Sequence, residues 1–291
     1  MQQFWKLVAC SALAGWVVAD VGDADIDSVK APCDGEIDYK MSGQSDHYSP
    51  NIDKLEHWID CLIIEYKESL GQKLDPKDER NLQRNNMGLL DRYGCWCYFE
   101  NDHGLGSGDP IDTIDTMCQV LHKGYECILL DNLNDDSGNV CDPWTVEYNS
   151  AFGSGSTPFG LDMGNLAKEC DLQNPSPCEA ATCKVEGNFV LSYFKYAVVG
   201  GLIEITNRHE LGFDTSVCLV PRSGASGTSH TDEQQSCCGT YPIRFPYWAE
   251  DHRVCCQATS LPTNSITYNP DNGVCCPDTG TTAGSVMSCG Q

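Results

Sequence analysis

Residues 93–127 read YGCWCYFENDHGLGSGDPIDTIDTMCQVLHKGYEC, a glycine-rich Cys-x-Cys loop that runs straight into a helix carrying cysteines and one histidine. Glycines at 104, 106 and 108 let a loop turn its backbone carbonyls toward a hard cation such as calcium, or simply let it turn tightly. A helix pinned by disulfides holds His122 rigidly, where the ring can serve as a general base or pack as an ordinary half-buried histidine. Asp112 is a candidate side-chain metal ligand. Acids at the start of a helix, such as Asp112 and Asp115, are equally explained by capping and by the helix dipole.

The helix that must carry His122 is the plainest element. Asp109 is placed to cap it and Pro110 to take its first position. Ile111, Ile114, Cys118, Leu121, Tyr125 and Ile128 then recur at steps of three or four, which predicts one buried stripe. Cys118 and Cys127 lie nine residues apart, about 180° around the axis, so staples are expected on two opposite sides. Upstream, Ile52, Leu55, Trp58, Ile59, Leu62 and Ile63 predict an amphipathic helix that ends near Gly71, with Cys61 as its staple. Residues 75–92 predict a shorter second helix capped by Asp75. Downstream, the acidic turn 131–144 fails the EF-hand signature, because Leu133 falls at the first ligand position. Residues 151–160 read as a loop, a helix follows around LDMGNLAKEC, and GNFVLSYFKYAVVGG carries both helix and strand signals.

Composition sets the compartment. The chain opens MQQFWKLVACSALAGWVVAD, which reads as a secretory signal peptide over residues 1–19. Its apolar run of about 13 residues falls short of the roughly 20 that a bilayer span needs, so no transmembrane segment is expected. Of 19 cysteines, Cys10 leaves with that peptide. The remainder predict disulfides rather than zinc sites, because spacings such as CCG and VCC lack paired ligand motifs. The chain has 18 basic side chains, of which Lys6 is lost, against 42 acidic ones, and the resulting charge of −25 repels nucleic acid and anionic lipid. Such a balance suits calcium, mineral surfaces or basic partners, and it also keeps a secreted protein soluble.

Four further segments follow the signal peptide: an acidic, turn-rich stretch over 20–51, a disulfide-stapled helical domain over 52–193, a connecting segment and linker over 194–230, and a cystine-rich strand-and-turn module over 231–291. Ten mature cysteines precede Cys218 and eight run from Cys218 to Cys289, so each part is able to close its own bridges. Adjacent cysteines seldom bond each other, and each CC is expected to tie one strand to two others. Tyr241, Phe245, Tyr247 and Trp248 either fill the small core of the last module or form a binding patch.

Tyr93, Gly94, Cys95 and Cys97, the glycines 104, 106 and 108, then Pro110, Asp112, Asp115 and His122 resemble the calcium loop and first catalytic helix of secreted phospholipases A2. The likeness is closest over 93–127 and extends loosely over 52–183, where CEAATC at 178–183 is similar to the family's second cysteine helix. The resemblance implies a mainly α, disulfide-rich fold. It also implies a reaction in which His122 takes a proton from water, while calcium held by loop carbonyls, here the candidates Tyr93, Gly106 and Gly108, and by an Asp after the His polarises the ester carbonyl. Three departures bear on that reaction. Lys123 replaces the calcium-binding Asp, the loop is lengthened by YFEND after Cys97, and Glu179 is the candidate partner for His122 in a segment two residues shorter than the family's. A lysine a few Å from a divalent site opposes it by several kcal/mol, taking an effective dielectric near ~20.

Cys237, Cys238, Gly239, Tyr268, Pro270, Cys275 and Cys276 resemble the double-cysteine repeats of galaxin-like extracellular matrix proteins. That likeness implies a matrix or coat setting and no reaction. The expectation is a secreted extracellular binding or matrix protein on a phospholipase A2-like scaffold with an impaired calcium and catalytic site. Its expected partners are matrix or coat proteins, or a phospholipid surface. The alternatives are a calcium-dependent phospholipase A2 that hydrolyses sn-2 esters with His122 as base, and an acidic calcium- or mineral-binding matrix component.

Overall fold

The computed structural model describes residues 50–72, 86–99, 106–149, 151, 163–219, 235–248, 253–257, 265–271 and 273–275. The expected signal peptide, nearly all of the acidic stretch 20–51, residues 73–85 of the expected second helix and most of the linker and the loop 151–160 lie outside these residues.

Among the described residues, five α-helices build the first part: α1 (Pro50–Ser69), α2 (Asn86–Leu90), α3 (Thr113–Leu130), α4 (Met163–Gln173) and α5 (Pro177–Tyr193). In α1 the predicted stripe is the buried face, with Ile52, Leu55, Trp58, Ile59, Leu62 and Ile63 all in the core. The helix stops because Gly71 takes a left-handed φ of 71°, and the Gln72 amide reaches back to the Lys67 carbonyl at 2.9 Å, a C-cap of the Schellman type. Ser176 caps α5 and Pro177 opens it, and most of its residues are buried because it is wedged against α1, α3 and α4. The ambiguous run after α5 resolves into a π-helical turn over Phe194–Val199, followed by three 3-10 turns up to Leu219.

α3 begins later than the sequence predicts. Asp112, not Asp109, is its N-cap, with an extended φ of −156° and a side chain that accepts from the Asp115 amide. The reason lies in the next turn, where the Asp115 carboxylate takes the Ile111 amide at 3.0 Å and so keeps residue 111 out of the helix. Ile111 therefore leaves the stripe, while Ile114, Met117, Cys118, Leu121, Tyr125 and Ile128 are buried in it.

The described residues of the second part form two short antiparallel ribbons. β1 (Gln235–Thr240) pairs with β2 (Ile243–Trp248), and β3 (Val254–Cys256) pairs with β4 (Ile266–Tyr268). Seven disulfides join described cysteines: Cys95–Cys218, Cys97–Cys118, Cys127–Cys237, Cys141–Cys178, Cys170–Cys183, Cys238–Cys255 and Cys256–Cys275. Cys61 is disulfide-bonded as well. The bridges from Cys118 and Cys127 leave α3 toward the loop and toward the ribbon, as their opposed positions predict.

The expectation that each part closes its own bridges is overturned, because Cys95–Cys218 and Cys127–Cys237 both cross the division. An even count on each side permits closure within a part without requiring it. Likewise Cys237 ties β1 to a helix rather than to a strand, while Cys238 ties it to β3. Side chains reinforce this docking. Arg244 grips Asp131 through Nε and Nη2 at 2.8 and 2.9 Å, the Tyr241 hydroxyl donates to the same carboxylate at 2.9 Å, and Gln235 donates to Glu126 at 2.7 Å. Asp131 stands at the negative end of the α3 dipole, an unfavourable place for a carboxylate that the guanidinium offsets. Tyr241 thus packs against the helical core, whereas Phe245, Tyr247 and Trp248 remain partly exposed.

The crossing bridge gives a direct test. Replacing Cys127 and Cys237 together by Ala removes a cross-link over a sequence separation of 110 and lowers the unfolding free energy by about 2–4 kcal/mol in urea titrations of the otherwise oxidised protein.

Candidate functional site

The loop that leads into α3 is organised by one carboxylate. Asp115 is fully buried and accepts the amides of Cys95 at 2.9 Å, Trp96 at 2.7 Å and Ile111 at 3.0 Å. Gly94 above it has φ 60°, and a Cβ there would lie 2.5 Å from the Asp115 carboxyl carbon, so only glycine lets the loop close on this acid. Burial pushes the Asp115 carboxyl up, against the pull of the three amide donors, and the nearby Asp112 charge adds to the rise.

Asp112 is spoken for in the same way. One oxygen caps the Asp115 amide at 2.9 Å, and the other accepts the Tyr93 hydroxyl at 2.5 Å and the Asn207 amide at 2.9 Å. Burial and the bond to Asp112 push the Tyr93 hydroxyl up to about 12. The loop carbonyls face protein donors too. Tyr93 O takes the Cys97 amide at 3.3 Å, Gly94 O the His209 ring N–H at 2.7 Å, Cys95 O the Ser107 amide at 3.3 Å, and Gly108 O the Trp96 indole at 3.2 Å. Gly106 packs on the Trp96 ring, which a Cβ would approach to 2.4 Å. A calcium ion needs several converging oxygens, and of the candidate ligands the Tyr93 and Gly108 carbonyls and both Asp112 oxygens already carry protein donors. Among the described residues no group of three or more His, Cys, Asp or Glu side chains is placed to hold a metal. The Lys123 ammonium lies 5.5 Å from the centre of the Trp96 ring.

His122 is 7% exposed and sits among aromatic rings. Phe99 stacks on it at 6.4 Å between centroids, and Trp144 lies tilted at 5.8 Å. Glu179 is elsewhere: at the first turn of α5, it is hydrogen-bonded to Ser176 and faces Asp136, and its carboxyl is raised by burial and by that neighbouring charge. Because Val185 packs against Gly124, the six residues back to Glu179 carry it about 9 Å along the axis, toward the C-terminal end of α3 and away from His122.

The acid that α5 does turn toward α3 is Glu186. It is fully buried and accepts the Tyr125 hydroxyl at 2.5 Å on one oxygen and the Tyr148 hydroxyl on the other. The sequence carries one signal for it, a lone acid three residues after Cys183 in the otherwise apolar helix face VEGNFV, and periodicity alone does not reveal its tyrosine partners.

Comparison with known proteins leaves this geometry to stand by itself. No family model, curated protein or solved structure matches the chain. Asp115→Ala strands three buried amide donors, and thermal or urea unfolding is expected to report a loss of about 3 kcal/mol or more, with Asp115→Asn recovering part of it.

Proposed function

We propose that this chain is a secreted extracellular binding or matrix protein that uses a phospholipase A2-like helical scaffold without phospholipase chemistry. The observation that carries this reading is the engagement of the loop. Its carbonyls at Tyr93, Gly94, Cys95 and Gly108 and its two nearby carboxylates already receive protein donors, and the Lys123 ammonium lies 5.5 Å from the centre of the loop's Trp96 ring. Support for the scaffold comes from the join of a Cys-x-Cys loop to a capped helix through Cys97–Cys118, and from the Cys170–Cys183 tie between α4 and α5. Support for secretion comes from seven disulfides, which form and persist in oxidising compartments. No helix among the described residues is long and apolar enough to cross a membrane.

The charge favours a basic partner. With −24 on the full sequence, electrostatic attraction selects a Lys- or Arg-rich protein surface over anionic lipid. Such an association weakens as salt shortens the Debye length to about 8 Å at physiological strength and below that in higher salt.

Zwitterionic phospholipid vesicles, incubated with the purified protein in calcium or in chelator beside a His122→Ala variant, test the reading. Fatty-acid release is expected to equal the protein-free background in all arms. Calcium-dependent release that disappears in His122→Ala overturns it. In a parallel arm, the protein is expected to stay with the matrix of secreting cells at physiological salt and to elute in high salt, and a chain that remains wholly in the medium contradicts the binding role.

A further inference from the structure

Glu186 lies where four segments meet. Tyr125 reaches it from α3 and Tyr148 from the stretch between Cys141 and Asn149, each with a hydroxyl on one carboxylate oxygen. Lys54 comes in from α1, donating to the Tyr148 carbonyl at 3.2 Å with its ammonium 3.8 Å from the centre of the Tyr148 ring. On the α4 side the contact is apolar, with Leu166 packed so closely on Gly187 that a Cβ there would lie 2.6 Å from it. Two more acids act on the cluster from its exposed rim, Glu147 on Lys54 and Asp142 on Tyr125.

The two hydroxyls serve either protonation state. Both donate to a carboxylate, whereas in the acid one of them turns to accept the carboxyl proton. What differs between the states is the cost of an ion in a site closed to water, with the ammonium held to Tyr148. We propose that Glu186 is a proton-operated fastener, which in its neutral form holds the 142–148 stretch against the α3–α5 pair and on ionisation loosens it.

The electrostatics agree with the geometry. Burial, opposed by the two tyrosine bonds and by Lys54, pushes the Glu186 carboxyl from 4.5 up to about 7, while burial and Glu186 itself push the Tyr125 hydroxyl well above its ordinary value. The charge change near neutrality therefore belongs to Glu186. A raised folded-state value means that the native protein holds this proton more tightly than the unfolded chain. The contribution to stability is complete below 4.5, declines as pH rises toward 7, and is gone above it.

The test is urea unfolding of the full-length oxidised protein from pH 5 to 8.5, beside Glu186→Gln, which mimics the neutral acid at every pH. The ratio of the two unfolding constants, native over variant, is expected to climb by about tenfold per pH unit and to level off near 7. His57, whose burial depresses its value below 6.5, pulls stability the other way in acid but is present in both proteins and cancels in the ratio. A ratio that stays constant over this range overturns the proposal. Amide exchange supplies the local readout: protection factors in the 142–148 stretch and in α5 are expected to fall over the same window in the native protein, and protection there that ignores pH overturns the fastener role. Should Glu186→Gln fail to fold, Lys54→Met takes its place. Losing the cation is expected to move the Glu186 carboxyl titration, followed by carbon-13 NMR, to higher pH, and an unmoved curve or one centred near 4.5 overturns the proposal.

Discussion

Three amide donors converging on Asp115 fix the relation between the glycine loop and α3, and much of the remaining architecture depends on that relation. The carboxylate holds Cys95 and Trp96 on one side and Ile111 on the other, so loop and helix start move as one piece. With Cys95 and Cys97 placed in this way, one cysteine reaches α3 through Cys118 and the other reaches Cys218, 123 residues on. A hydrogen-bonded acid thus sets the geometry that the covalent bonds then lock. Removing its partners would leave a buried charge, which is the costliest form of polar burial.

The same use of acids recurs at Asp112, Glu186 and Asp131. Asp112 joins the helix cap to Tyr93 and Asn207, Glu186 joins α5 to Tyr125 and Tyr148, and Asp131 joins the end of α3 to Arg244 and Tyr241. Each is an acceptor between segments far apart in sequence. In a chain with 42 acidic side chains, these few are drawn inward as connectors, and their donors are mostly neutral hydroxyls and amides. Neutral donors stabilise an acid at lower desolvation cost than a buried ion pair does.

Local pattern made some of this legible and long-range chemistry did not. The six apolar residues of α1 share one face because helical spacing is a property of the segment itself, and the same holds for the opposed cysteines of α3. The start of α3 misled because Asp109-Pro110 is a sound local cap, and the Ile111 amide is instead claimed by an acid four residues on. Glu186 escaped for a related reason: an acid in the middle of a helix gives no sign of which hydroxyls will reach it from 38 and 61 residues away. Cysteine parity was uninformative about Cys95–Cys218 and Cys127–Cys237, since counting constrains numbers of bridges and not their geometry.

The engagement of the glycine loop is itself a long-range effect, and this gives it weight. Asn207 reaches Asp112, His209 takes the Gly94 carbonyl, and the Cys218 backbone lies where a Cβ on Gly108 would come within 2.3 Å. All three come from one strap, residues 204–218, which also pairs with the loop through the Tyr93–Arg208 bridge and stacks His209 on Phe213 at 5.4 Å. Freeing the Gly94 carbonyl and the second Asp112 oxygen would require this strap to withdraw, yet Cys95–Cys218 anchors its far end to the loop it covers. A side chain turning away, as Lys123 is long enough to do, therefore does not by itself free these two acceptors. The strap would still hold them.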